Sequence, residues 1–202
     1  MATENIGVTT AGNEAQALVS ELENYRQQFE AIRDDARQLI AGLTNKQFNW
    51  RQQPGSWSIA ECLAHLNVTG QMFLPALVRQ IKGARAEGRL SAGPYRHGFF
   101  GKIFVRGMEP PVKLKFKAPK LYAPLPEHLV AVVEPAFMSL QDQFIARLHD
   151  ANGLDLGRVK VASPASRFIK ISLGHAFALM AAHERRHLWQ ARLVRNDPNF
   201  PG

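Results

Sequence analysis

The sequence has 202 residues, of which 46% are hydrophobic and 21% charged, and its formal net charge is +8. This composition is ordinary for a globular domain with a core and excludes a predominantly disordered chain. The single cysteine, Cys62, excludes an intramolecular disulfide and indicates a reducing compartment. Signal-peptide features are absent, and no apolar run is long enough to cross a bilayer, so we expect a cytoplasmic protein without a membrane partner.

Four segments have apolar residues at helical spacing, over about 18–43, 58–81, 127–150 and 166–194. The second segment opens with a capping box, Ser58 to Glu61, which predicts the start of that helix. Four long helices with one crossover predict an all-α fold, a four-helix bundle. We expect a single domain over residues 1–202.

The crossover between the second and third helices covers about residues 83–126 and is rich in glycine, proline and basic residues. We predict an irregular segment there, with a short strand-like stretch over 113–117. Residues 79–120 contain eleven basic and two acidic side chains, so this part of the chain accounts for the net charge.

This basic segment has three interpretations: a solvated loop, a lid, or a nucleic-acid-binding surface. A lid would supply Arg96, Lys113 or Lys115 to an anionic substrate. The segment lacks a recognition helix and an aromatic stacking platform, so we do not expect nucleic acid as a partner.

Two histidines in the fourth predicted helix, His183 and His187, are four residues apart and share one face. Such a pair can hold one metal ion, although it also occurs by chance on a solvated face. With Glu184 the pair matches the HExxH pattern of zinc proteases. No Glu or His follows His187 as a downstream ligand, which argues against a protease. On a helix Glu184 is rotated by about 100° from His183 and points away from the face that the two histidines share, so we expect it to face solvent or to form an ion pair.

A third ligand has to come from upstream, and His65 is the best candidate because it lies within an apolar stretch of the second helix. A histidine in such a stretch is also typical of a satisfied core residue. Three imidazoles would leave coordination positions open, as in catalytic metal sites. Around them, Glu61 either caps its helix or orients His65, Gln190 can form a hydrogen bond near the site, and His175 can line the cavity.

Residues 43–66, which include Pro54-Gly55-Ser56-Trp57 and His65, together with residues 183–192 resemble the two signatures of the DinB/YfiT-like superfamily. The resemblance implies a four-helix bundle with a divalent metal ion, nickel or zinc, held by His65, His183 and His187. It also implies a homodimer, and a relationship to transferases and isomerases that use low-molecular-weight thiols.

Together these features predict a metal-dependent enzyme, a transferase or hydrolase acting on a small-molecule substrate. In it the metal would activate water or a low-molecular-weight thiol for attack on a small electrophile. The alternative is a stress-related bundle that binds a metal or ligand without turnover.

Overall fold

The computed structural model describes residues 17–111, 122–124, 127–163 and 166–202. In these residues the helices are α1 (Ser20–Ile40), α2 (Asn45–Phe48), α3 (Ile59–Ala86), α4 (Phe99–Met108), α5 (Val130–Ala151) and α6 (Leu173–Arg195). Two short strands, β1 (Lys160–Ser163) and β2 (Ser166–Ser172), form an antiparallel pair. None of the helices is both long and apolar enough to cross a membrane. The all-α bundle predicted from the sequence is confirmed.

The four long helices α1, α3, α5 and α6 surround one hydrophobic core. Helices α1 and α3 each pack against both α5 and α6, so α1 and α3 occupy opposite corners of the bundle. Aromatic rings fill much of the space between them. For example, Phe29 of α1 stacks on Phe144 of α5 with ring centroids 5.0 Å apart, and both are fully buried.

Helix α3 begins where the sequence predicts. The Ser58 hydroxyl accepts a hydrogen bond from the Glu61 backbone N–H at 3.1 Å, and the Glu61 carboxylate accepts from the Ser58 N–H at 2.9 Å. Arg51 donates two further hydrogen bonds to the same carboxylate, at 2.7 and 2.8 Å. The capping box satisfies two backbone N–H groups and fixes the start of the helix that carries His65.

Helix α6 begins later than predicted. Residues 166–172, which the sequence analysis assigned to this helix, form β2. In that strand Ile171 pairs with Val161 of β1, and both side chains are buried. The helix starts at Leu173, where the Ser172 hydroxyl accepts a hydrogen bond from the His175 N–H. Residues 169–172 alternate between apolar and polar side chains, which is a strand pattern that the helical interpretation overlooked.

The crossover is less irregular than predicted. Helix α3 continues to Ala86, and residues 99–108 form α4, which packs against α6. The two helices approach closely at Gly101, where an added Cβ would overlap the His175 ring. The strand-like stretch predicted over 113–117 lies outside the described residues.

A second close approach, between α3 and α5, provides a test of the core packing. An added Cβ at Gly70 would lie 2.5 Å from a terminal carbon of the fully buried Leu140. We expect Gly70→Ala to destabilise the protein by about 1–3 kcal/mol, because overpacking outweighs the better helix propensity of alanine. Urea denaturation measures this free energy of unfolding.

The matched control is Gly83→Ala in the same helix, where nothing lies within 4 Å of an added Cβ. This variant should be stabilised by up to about 1 kcal/mol, because only the propensity effect operates. Equal changes in the free energy of unfolding for the two substitutions would contradict overpacking of the Gly70→Ala side chain against Leu140.

Candidate metal centre

Three histidines from two helices converge at one point of the bundle. His65 comes from α3, and His183 and His187 come from successive turns of α6. One ring nitrogen of each lies within 4.8 Å of the other two, and the Nε2 atoms of His65 and His183 are 3.3 Å apart. Side chains of facing helices build metal sites in helical bundles in this way.

The second nitrogen of two of these rings has a fixed partner. Nδ1 of His65 lies 2.7 Å from the Tyr122 carbonyl oxygen, and Nδ1 of His187 lies 3.1 Å from the Gln190 side-chain oxygen. Because both oxygens are acceptors, each Nδ1 carries the proton and donates it, which leaves the Nε2 lone pair free. Histidines that ligate metals commonly donate their other N–H in this manner.

The electrostatic environment keeps the three imidazoles neutral. Burial lowers the pKa of His183 to about 3, with smaller contributions from His65 and Arg186. Burial also lowers the pKa of His65, and it lowers the pKa of His187 well below its usual value with a further contribution from His183. Neutral imidazole is the form that binds a metal ion, and it suits zinc, copper, iron and nickel alike. The donor set therefore fits a divalent transition metal.

An aromatic side chain covers part of the cluster. The Trp57 ring lies 4.9 Å from the His65 ring and stacks on His187 at 5.5 Å between centroids. From the sequence, Trp57 was identified only as part of the family signature and was not expected to contact the histidines. Tyr122 was not expected there either, since its contribution is a backbone carbonyl and therefore leaves no trace in the choice of residue.

The structure places Gln190 beside the cluster but gives Glu61 and His175 other surroundings. The Glu61 carboxylate accepts hydrogen bonds from the Ser58 N–H and from the Arg51 side chain. His175 lies eight residues before His183, about 12 Å along the axis of α6, and its ring is 4.7 Å from that of His97.

The predicted anion contacts do not form a described site. Arg96 is exposed, and its backbone lies close to Gly157. Lys113 and Lys115 lie outside the described residues.

Glu184 corrects a prediction. It is fully buried, it forms no ion pair with any residue that the structure describes, and one of its carboxyl oxygens accepts a hydrogen bond from the Gln141 side-chain amide at 3.0 Å. Burial raises the pKa of this carboxyl to about 8. The reason is that α6 packs against α1, α3 and α4, so this helix is enclosed on several sides.

A family comparison agrees with this geometry. The model of the DinB superfamily matches residues 28–191, a range that contains His65, His183 and His187. Because the match covers most of the chain, the protein belongs to the DinB superfamily. Neither the curated proteins nor the solved structures yielded a match.

Proposed function

We propose that the protein is a metal-dependent enzyme whose divalent ion, nickel or zinc, is held by His65, His183 and His187. The reaction is attack of water or a low-molecular-weight thiol on a small electrophile, as in a hydrolase or thiol transferase. The observation that carries the proposal is the convergence of three buried or half-buried neutral imidazoles from two helices. A three-histidine set leaves room for a reactant, as in catalytic zinc sites.

The chain's own groups have separate roles in this proposal. A divalent ion held by the three histidines would lower the pKa of a water or thiol, so that a nucleophile would be available near neutral pH. The three Nε2 atoms supply the lone pairs. The Tyr122 carbonyl and the Gln190 side chain hold two of the rings in the required tautomer.

The burial of the three histidines indicates the side from which a reactant can approach the cluster. His65 and His187 are buried and lie against Trp57, whereas His183 is half-buried. We infer that small molecules reach the cluster from the side of His183, while Trp57 excludes water from the opposite side.

Metal analysis of tag-free protein, followed by turnover of a model electrophile with a panel of thiols and with water, tests the proposal. We expect about one divalent ion per chain and a loss of at least about 100-fold in turnover on His187→Ala. Turnover unaffected by that substitution would contradict a metal-centred mechanism. A bound ion without turnover would favour the alternative, a bundle that binds a metal or ligand and has no catalytic role.

The homodimer and the cytoplasmic location stay predictions, to be checked by light scattering and by cell fractionation.

Gln190 should tune the affinity of the site. Gln190→Ala removes the acceptor for the His187 Nδ1–H, and we expect metal binding to weaken about 10- to 100-fold. Gln190→Glu keeps an acceptor and should restore the affinity. Competition with a chromogenic chelator measures the effect, and Gln71→Ala, at an exposed position of α3, is the control. Equal affinities of the Gln190→Ala variant and the wild type would show that this hydrogen bond does not orient His187.

A further inference from the structure

Helix α4 has an uncovered apolar face. The exposed fractions are 72% for Phe99, 86% for Phe100, 53% for Ile103 and 45% for Phe104. At 100° per residue these four side chains lie within an arc of about 140°. Proteins rarely expose so many large apolar side chains together unless the surface binds something.

The opposite face of α4 is turned towards the protein. Gly101 is buried against His175, and Val105 and Met108 are half-buried. The helix is therefore held on the bundle by one side, which leaves the phenylalanine side free to contact another body.

Positive charge borders this face. Lys102 and Arg106 lie about 60° and 20° from Phe99 around the helix axis, and Arg96 is exposed just before the helix. Within the described part of the chain none of these three forms an ion pair. The acidic residue that directly follows α4, Glu109, pairs with Arg185.

We propose that α4 docks on an anionic lipid surface, with its phenylalanines in the interfacial region and Lys102 and Arg106 at the phosphates. Helices with aromatic and aliphatic residues on one face and basic residues beside them lie in the membrane interface, with the apolar face buried about 5–10 Å. Basic residues next to such a helix add attraction to anionic headgroups. This association needs no membrane-spanning helix, and it does not rest on the metal site. It departs from the sequence-based expectation that the protein has no membrane partner, because the sequence did not reveal α4.

Two other occupants fit less well. A second copy of the chain seated on this face would bring Lys102 and Arg106 of both copies into one interface, where no described acidic residue of the face would pair with them. The first sixteen residues are acidic, but their large apolar side chains are only Met1, Ile6 and Val8. A flat anionic surface matches both the charge and the apolar area.

Sedimentation of the full chain with lipid vesicles, in buffer containing EDTA, tests the proposal. We expect binding to vesicles of phosphatidylcholine and phosphatidylglycerol, no binding to phosphatidylcholine alone, and release by high salt. The pair Phe100→Ser and Phe104→Ser, and separately the pair Lys102→Gln and Arg106→Gln, should each reduce partitioning at least about tenfold. Val132→Ser removes a side chain that is 63% exposed on α5 and should leave partitioning unchanged.

Three results would overturn the proposal. One is absence of wild-type binding to the anionic vesicles, and another is undiminished binding of the phenylalanine variant. The third is a molar mass of the phenylalanine variant in light scattering that is half that of the wild type. This result would show that the apolar face of α4 is a contact between two copies of the chain. If that variant fails to fold, Phe100→Trp offers a second test. Its fluorescence should be quenched by brominated lipid, and an unquenched tryptophan would contradict the docking.

Discussion

The His65→Ala variant should bind zinc or nickel at least about 100-fold more weakly than the wild type, because ligand loss exceeds the effect of losing a supporting hydrogen bond. His65 is the only member of the cluster from α3. Without it the remaining pair lies on one helix, and the Tyr122 carbonyl loses its donor. Isothermal titration of metal-depleted, tag-free protein measures the affinity.

The same substitution should remove the stabilisation of the fold by metal. A ligand present at 100 times its dissociation constant stabilises the folded state by about 2.7 kcal/mol, so the wild-type melting temperature should rise with added metal. His149→Ala, at an exposed position near the end of α5, is the matched control and should behave as the wild type. A His65→Ala variant that keeps both the affinity and the metal-dependent melting shift would exclude His65 as a ligand.

The second large effect concerns Glu184. Its carboxyl has a pKa of about 8 in the folded protein against an ordinary value of 4.5. As the pH rises from about 4.5 to 8, the unfolded chain ionises while the folded protein still holds the proton. Stability therefore falls with rising pH, by up to about 1.4 kcal/mol per unit. Glu184→Gln removes this titration and can keep the hydrogen bond that Gln141 donates.

We therefore expect Glu184→Gln to have nearly the wild-type stability at pH 4.5 and to exceed it by up to about 5 kcal/mol at pH 8. Urea denaturation of metal-free protein across this range measures the difference. Glu134→Gln, the same change at a half-buried position of α5, is the matched control. A gain from Glu184→Gln that is constant between pH 4.5 and 8 would contradict the burial of an ionisable carboxyl.

The bundle could be predicted because its long helices each have an apolar stripe and, at Ser58, a capping signal. Helix α4 could not, because two glycines interrupt its sequence and four of its large side chains are exposed. Contact with α6 at Gly101 stabilises a segment whose own pattern does not indicate a core-facing helix.

The histidines of the candidate site could be predicted from their spacing and from the two family signatures. The burial of Glu184 could not, because it depends on how many helices surround α6. The placement of Trp57 over two imidazoles likewise depends on the fold, since His65 and His187 are 122 residues apart in the chain.

The Tyr122 carbonyl has a consequence for which changes this sequence can accept. Every amino acid, proline included, has a backbone carbonyl, so the bond to His65 does not depend on which residue stands at position 122. What has to be retained is the path of the chain as it returns from the crossover to α5. An insertion or deletion in that return should disturb the orientation of His65 more than a substitution of Tyr122, although every histidine would still be present.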